Sequence, residues 1–353
     1  MKYLHIFSYD ENEKFSTSFI EFINENFNLN EHYFLLTSGR KYNNHTKSGN
    51  NLEILPYDIK SIGILTKYIN KSEKVFFHGL SNNKYIDITL LLQPRVLKKC
   101  NWCIWGGDLY LYESRNSSFR TKLREIPRRT IIKNIGGLIT HVKGDFELAQ
   151  KWYGAKGEYY YSFMYTSNLF KGYNLTNSKK DEEIYIQIGN SGLDTNNHLE
   201  VFTKLEKYKT KKIQIICPLS YAYESNPSYR EEVIKAGKEI FGDKFIPILE
   251  FMPFDEYLNL LSKVDIAIFN HDRQQAVGNI TTLLGLGKKI YIRDNITTWD
   301  FCIEHGLKVF DSNGDFEDLF EMLDNHTRER NIENIKDKFS KEKLKKDLNK
   351  LFS

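Results

Sequence analysis

Apolar residues along this chain fall into short β-branched runs separated by helical stripes. Residues 3–9 form the first run, and 13–27 follow with Phe15, Phe19, Phe22, Ile23 and Phe27 on one helical face. The alternation continues with strands expected over 32–36, 52–55, 74–78, 100–105 and 137–141. Helices are expected over 61–69, 85–92 and 144–152, the last with Asp145 as its cap. Between 165 and 183 the pattern lapses into Thr166-Ser167-Asn168 and Asn177-Ser178-Lys179-Lys180-Asp181, which reads as a linker. It then restarts, with strands over 184–188, 212–216, 245–249, 264–269, 289–292 and 308–310. The matching helices cover 198–208, 229–241, 254–261, 278–286, 299–304 and 316–323. Beyond 328 the chain is highly charged, with Ile332, Ile335, Phe339, Leu344, Leu348 and Leu351 at mostly helical spacing.

Strands alternating with helices of this length predict parallel sheets covered on both faces. The expected architecture is α/β: two Rossmann-like doubly wound domains facing a central cleft. An N-terminal domain would span 1–170 and a C-terminal domain 171–327, with an amphipathic helical tail at 328–353. A cleft lined by two sheet edges suits a reaction of two substrates, one on each half.

The length of 353 residues agrees with two domains, and a hydrophobic content of 41% excludes wholesale disorder. The net charge of +4 is too small for general affinity to nucleic acid, so the placing of the basic residues matters more. Of the four cysteines only Cys100 and Cys103 have metal-like spacing. No second pair accompanies them, so they read as ordinary buried thiols. No segment approaches the roughly 20 apolar residues that cross a bilayer. The expected location is the cytosol, or a membrane bound from one side only.

The candidate chemistry sits at strand ends, where open α/β sheets bind ligands. After the run Val264 to Phe269 come Arg273, Gln274 and Gln275, then Gly278-Asn279 opening a helix. Helix amides and a fixed guanidinium there would grip a diphosphate, although the same pattern fits a solvated loop. Gly189-Asn190-Ser191-Gly192 ends another strand of the same half, and its glycines let backbone amides approach a ligand. It is neither a dinucleotide fingerprint nor a P-loop. Tyr221 and Glu250 follow two further strands and could meet the face and edge of a base.

In the first half His78 ends an apolar strand, and Asp108 follows the Gly106-Gly107 turn between Trp105 and Tyr110. Trp105 and Tyr110 suit sugar rings; Asp108, or His78, could accept a proton, and either could equally be structural. Arg120, Lys122, Arg124, Arg128 and Arg129 lie in a basic stretch interleaved with Phe119, Leu123, Ile126 and Ile131. Such a stretch binds anionic membrane surfaces or phosphate-bearing acceptors, or is a solvated helix face. The chain has no Asp-x-Asp. That disfavours a nucleotide sugar held through Mg²⁺ and favours charge neutralisation by Arg and helix amides, with no metal and no cofactor.

Several blocks, in one order, resemble the TDP-N-acetylfucosamine:lipid II N-acetylfucosaminyltransferases (4-α-L-fucosyltransferases), glycosyltransferase family 56. They are Phe76-Phe77-His78-Gly79, Ile104 to Tyr110, Gly189 to Gly192 with Asp194, Asn197 and His198, Tyr229 to Val233, Phe254 to Leu258, and Arg273-Gln274-Gln275 with Gly278. Gly107 stands where the family pattern has alanine, and the surroundings of Arg273 differ. The resemblance implies a GT-B fold of two Rossmann-like domains, with 1–170 on the acceptor side and 171–327 binding a nucleoside-diphosphate sugar, dTDP- or UDP-linked. It also implies a lipid-linked or oligosaccharide acceptor at the cytoplasmic membrane face, as in enterobacterial common antigen synthesis, and with it a cytoplasmic protein peripheral on the inner face of the bacterial cell membrane. The reading that follows is a metal-independent glycosyltransferase moving a sugar such as Fuc4NAc in bacterial surface polysaccharide synthesis. A nucleotide-sugar epimerase or hydrolase, or a non-catalytic nucleotide-sugar or glycan-binding protein, are the alternatives.

Overall fold

The computed structural model describes residues 1–8, 15–38, 51–80, 83–114, 119–172, 183–222 and 226–353, without the side chains of Pro56, Ser114, Arg120, Arg124 and Phe254. The chain divides into two compact units, 1–169 with 341–353, and 170–340. Most of the 165–183 linker, including 177–181, lies outside the described residues, whereas Thr166–Asn168 forms a single 3-10 turn.

The first unit holds seven parallel strands: β1 (Tyr3–Ser8), β2 (His32–Ser38), β3 (Leu52–Pro56), β4 (Lys74–His78), β5 (Cys100–Cys103), β6 (Gly137–Ile139) and β7 (Glu158–Tyr160). Their order is β3-β2-β1-β4-β5-β6-β7. The connecting helices are α1 (Ser16–Asn26), α2 (Lys60–Lys71), α3 (Lys84–Leu92), the short α4 (Leu111–Ser114), α5 (Phe119–Asn134) and α6 (Lys143–Tyr153). Leu4, Ile6, Val75, Phe77, Trp102 and Leu138 from the strands meet Leu65, Leu90, Ile131 and Ala149 from the helices in one core. Burial on both faces explains why these strands read as continuous apolar runs.

Six parallel strands build the second unit: β8 (Ile184–Ile188), β9 (Ile213–Pro218), β10 (Phe245–Ile248), β11 (Ile266–Phe269), β12 (Lys289–Ile292) and β13 (Phe310–Asp311). Their order is β10-β9-β8-β11-β12-β13. The helices are α7 (His198–Leu205), α8 (Pro227–Phe241), α9 (Phe254–Lys263), α10 (Val277–Gly285), α11 (Thr297–Glu304) and α12 (Asn325–Lys338). The C-terminal segment then supplies α13 (Lys341–Leu351) to the first unit, where Lys74 Nζ donates to the carbonyls of Leu351 and Ser353. In each sheet the strand order reverses at one place, between β1 and β4 and between β8 and β11. Such a switch point opens a crevice at the carboxyl edge, where ligands of open α/β sheets sit.

Two local expectations give way to the observed backbone, and one strand is added to those expected. The helix expected over 316–323 is a turn. Tyr208 Oη donates to the Phe316 carbonyl and buried Lys289 to those of Asp318 and Glu321, so oxygens that a helix would use are taken by side chains. Phe316 also has φ +56°. Asp145 does not cap α6: Val142 holds the cap position without a side-chain bond, and Asp145 lies buried in the first turn. Lastly, Glu158–Tyr160 pairs with β6 as a three-residue strand too short to show a period.

Candidate functional site

β8 runs straight into Gly189, whose φ is +65° and whose N–H donates to the Ile268 carbonyl of β11 at 2.9 Å. A Cβ here would lie 2.6 Å from His198 Nε2 and 2.7 Å from Asn196 Oδ1, so only glycine fits. The loop that follows is laced to the loop after β11. Asn196 Oδ1 accepts from the Asn190 amide at 2.9 Å and from His271 Nε2 at 3.0 Å. Asn196 Nδ2 donates to Ser191 Oγ at 2.9 Å. Gln275 Nε2 donates to Asn190 Oδ1 and Ser191 Oγ, and its Oε1 accepts from Thr195 Oγ1. The turn 194–196 therefore ties two strand ends together.

Below the second loop stands Arg293, at the end of β12. It donates to Asn270 Oδ1 and Asp272 Oδ1, both at 2.9 Å, and to Glu200 Oε2 at 2.5 Å. Asn197 Nδ2 adds bonds to the Asn270 carbonyl and Asp272 Oδ1. Arg273 is half-buried, and one of its guanidinium nitrogens donates to the Gln274 carbonyl at 3.1 Å; Gln274 itself is buried. Ala276 has φ +59° and caps α10, so the helix begins at Val277, one residue before the expected Gly278-Asn279 start. Its first backbone bond is Ile280 N–H to the Ala276 carbonyl, which leaves the amides of Val277, Gly278 and Asn279 at the positive end of the dipole. A left-handed alanine is strained, and strain of this kind gathers at ligand loops.

The second unit thus brings together Gly189, Asn190, Ser191 and Gly192 with Gln275, and sets Arg273, Gly278 and Asn279 on the same loop and helix start. Tyr221 joins through its backbone, its carbonyl accepting from the Gly192 amide at 2.9 Å while its side chain is exposed. Glu250 is exposed beyond the edge strand β10, with no hydrogen bond to either loop. His271, Asn196 and Arg293 were not singled out from sequence. A cation just after the apolar run 289–292 was the one available signal for Arg293.

The first unit's candidates are arranged differently. Asp108 is 7% exposed, and both oxygens are fully engaged. Oδ2 accepts from the Leu80 amide at 2.9 Å and Trp102 Nε1 at 2.6 Å, and Oδ1 from the amides of Trp105 and Leu109 at 2.9 and 3.0 Å. Four donors occupy what a carboxylate offers. Asp108 clips the end of β4 to the end of β5. His78 is buried too, between Tyr165 Oη at 2.8 Å and His5 Nδ1 at 3.1 Å, and His5 continues to His32 at 3.0 Å. Trp105 Nε1 donates to Tyr165 Oη at 2.6 Å, while the Trp105 ring stays half-buried. Tyr110 is a core residue against Trp152.

Within the basic stretch the residues have unlike environments. Arg128 is a buried anchor: it pairs with Glu125 at 2.5 Å, donates to the Leu80 and Asp108 carbonyls and to Tyr153 Oη, and stacks on Trp102 and Tyr153. Four of its five N–H donors are thus engaged inside the fold, and its side chain is turned away from solvent. Arg129 lies 4.5 Å over the Tyr112 ring, Lys122 is exposed, and the side chains of Arg120 and Arg124 lie outside the described residues. Cys100 and Cys103 are buried three apart on β5, which points them to opposite faces; burial pushes the Cys100 thiol up to about 12. Among the described residues no three His, Cys, Asp or Glu stand together as a metal site.

Five buried imidazoles give the fold an acid limit. Burial lowers His32 to about 4 and His198 and His271 to about 3, the latter helped by the His198, Arg273 and Arg293 charges. It holds His5 and His78 well below the usual range. The unfolded chain, titrating near 6.5, binds more protons, so stability is complete above about pH 6.5 and falls as pH drops toward 4. At pH 5 each such imidazole costs about 2 kcal/mol. Urea unfolding at pH 7.5 and pH 5 is expected to show a clearly lower midpoint at pH 5; equal midpoints would refute neutral burial.

The sequence model of the family described as 4-alpha-L-fucosyltransferase glycosyl transferase group 56 matches residues 3–325. Among solved structures, a sucrose-phosphate synthase from Thermosynechococcus elongatus superposes with a TM-score of 0.73 at 10% identity, covering 100% of this chain and 98% of that one. Anabaena Alr3699/HepE, solved in complex with UDP and glucose, gives 0.69 at 9% identity, covering 100% and 99%. A glycosyltransferase from Rickettsia africae ESF-5 gives 0.64 at 11%, covering 99% and 98%. At these identities the likeness is one of fold, and the fold is GT-B.

Proposed function

The chain belongs to the 4-α-L-fucosyltransferase family, glycosyltransferase group 56, and from its site we propose a metal-independent transfer of an N-acetylated amino-deoxy hexose such as Fuc4NAc. The donor would be a dTDP- or UDP-linked sugar and the acceptor a polyprenyl-diphosphate-linked or related glycan of bacterial surface polysaccharide synthesis. One observation carries the reading: the loops after β8 and β11 are hydrogen-bonded to each other across a topological switch point, beside Arg273 and the N-terminus of α10. A relative of the same fold was solved with UDP and glucose.

In this reading the sugar's anomeric C–O bond to the diphosphate breaks and the nucleoside diphosphate leaves with the electron pair; the acceptor hydroxyl oxygen bonds to the anomeric carbon, and its proton passes to the leaving phosphate. Charge grows on the leaving phosphate, and Arg273 with the amides of Val277, Gly278 and Asn279 stabilises it most in the transition state. The laced loops keep these donors in place, so little reorganisation is needed during the reaction. Tyr221 would lie against the base. On the acceptor side Trp105 would offer its ring to the glycan, and Asp108, its oxygens already engaged, would hold that turn rather than take the acceptor's proton.

Incubating the protein with dTDP- and UDP-linked sugars, with and without a lipid-linked acceptor fraction, tests this. Labelled sugar should reach the lipid phase, and nucleoside diphosphate should appear only when acceptor is present. Equal turnover without acceptor would mean a hydrolase or epimerase, and donor binding without product a binding protein.

A further inference from the structure

Large exposed apolar side chains recur on neighbouring helices of the first unit. Ile59 precedes α2, Ile88 and Leu92 lie on α3, and Phe119, Leu123 and Ile126 follow one stripe of α5 at i, i+4 and i+7. Ile59, Leu92 and Phe119 are 73%, 70% and 76% exposed, far beyond what scattered surface residues need. These helices are neighbours: α2 packs on α3 and α3 on α5. Patches of this kind mark a surface that meets a partner.

The charges on the same face identify the partner's chemistry. Across α2, α3, the turn Pro94–Lys99 and α5, every exposed charged side chain among the described residues is basic, including Lys67, Lys84, Arg95, Lys98, Lys122 and Lys133. The two acids there are withdrawn: Glu125 is buried against Arg128 and Asp87 is half-buried. No helix of the described residues is long and apolar enough to cross a membrane. Exposed apolar side chains on helices whose own exposed charges are cationic match the acyl boundary and headgroups of an anionic bilayer, although the exposed acids Glu73, Glu113 and Glu147 stand on the segments beside them. A second copy of the chain fits poorly, because pairing the face with itself would set like charges together.

We propose that the α2–α3–α5 face docks on an anionic lipid bilayer, with Leu92, Leu123 and Ile126 entering the acyl boundary. This deepens the lipid-linked acceptor reading by naming the surface that meets the lipid; it rests on that reading for its purpose and not for its evidence. The test is flotation of the full chain with phosphatidylglycerol–phosphatidylcholine vesicles and with phosphatidylcholine vesicles, without donor. Partition onto the anionic vesicles should be at least about tenfold higher and fall with added salt. The variant L92Q/L123Q/I126Q, all at exposed positions, should keep its circular dichroism spectrum and its transfer to a water-soluble acceptor while losing at least about tenfold in vesicle partition.

Equal partition on both vesicles, or an unchanged triple variant, would overturn the proposal. So would a wild-type dimer that the triple variant converts to monomer with no vesicle binding, which would make the face a contact between copies. Vesicle binding with no sugar transfer to any acceptor would uphold the docking face and overturn the transferase chemistry. Transfer in detergent with no vesicle binding would do the reverse.

Discussion

Arg273→Ala is expected to lower kcat for sugar transfer by about 10²- to 10³-fold at saturating donor, the loss seen when one preorganised donor to developing charge is removed. The donor KM should move far less, because the ground-state diphosphate is still met by the α10 amides and the polar loop after β8. That split separates a transition-state role from uniform binding. Folding should be unaffected, since Arg273 is half-buried on a loop whose fixed partners are Asn270, Asp272 and Gln275. Steady-state kinetics with varied donor will measure it. A variant with wild-type kcat would remove Arg273 from the diphosphate site.

Arg128→Ala is expected to cost about 3–5 kcal/mol of stability, because it strands the buried Glu125 carboxylate without its partner. Against a total of about 5–15 kcal/mol for a domain, that brings the first unit near unfolding. The change also frees the Leu80 and Asp108 carbonyls that Arg128 now joins, so the ends of β4 and β5 would keep the Asp108 clip but lose this second tie. Urea unfolding reads the loss directly. Adding Glu125→Leu should recover part of it, since no charge is then left buried. If Arg128 served an acceptor or a membrane instead, the single variant would unfold like the wild type and lose only acceptor affinity.

The contrast between these two arginines shows what the sequence could carry. The strand runs, their parallel pairing and the polar loops at their ends were legible, because burial on both faces forces continuous apolar runs and loops must be polar. Arg273 read correctly as a residue on a loop after a strand. Arg128 did not read as buried, since its one acidic partner, Glu125, sits among six basic residues and nothing in that pattern says which side chain turns inward. Asp108 drew notice as a carboxylate beyond a Gly-Gly turn, but its four donors come from Leu80, Trp102, Trp105 and Leu109, and only the three-dimensional turn unites them. The imidazole chain was equally hidden. His5, His32 and His78 meet because β1 lies between β2 and β4, an order that no local period encodes.

At the donor site the lacing residues were the blind spot. Asn196, His271 and Arg293 touch each other's loops across three strands, so each looks ordinary in its own segment. The apolar stripe of α5 was visible as interleaving, yet the exposed Ile59, Ile88 and Leu92 belong to the start of α2 and to α3, helices that the sheet order, and no local pattern, lays in a row with α5.

The central claim is that the loops after β8 and β11 hold the donor diphosphate. Amide hydrogen exchange with and without UDP and dTDP tests it most directly. Slowed exchange is predicted over 189–197 and 271–280, including the amides of Gly278 and Asn279, with little change in the core strands. Nucleotide binding that leaves those amides exchanging at their original rate, and protects a different strand edge instead, would contradict it.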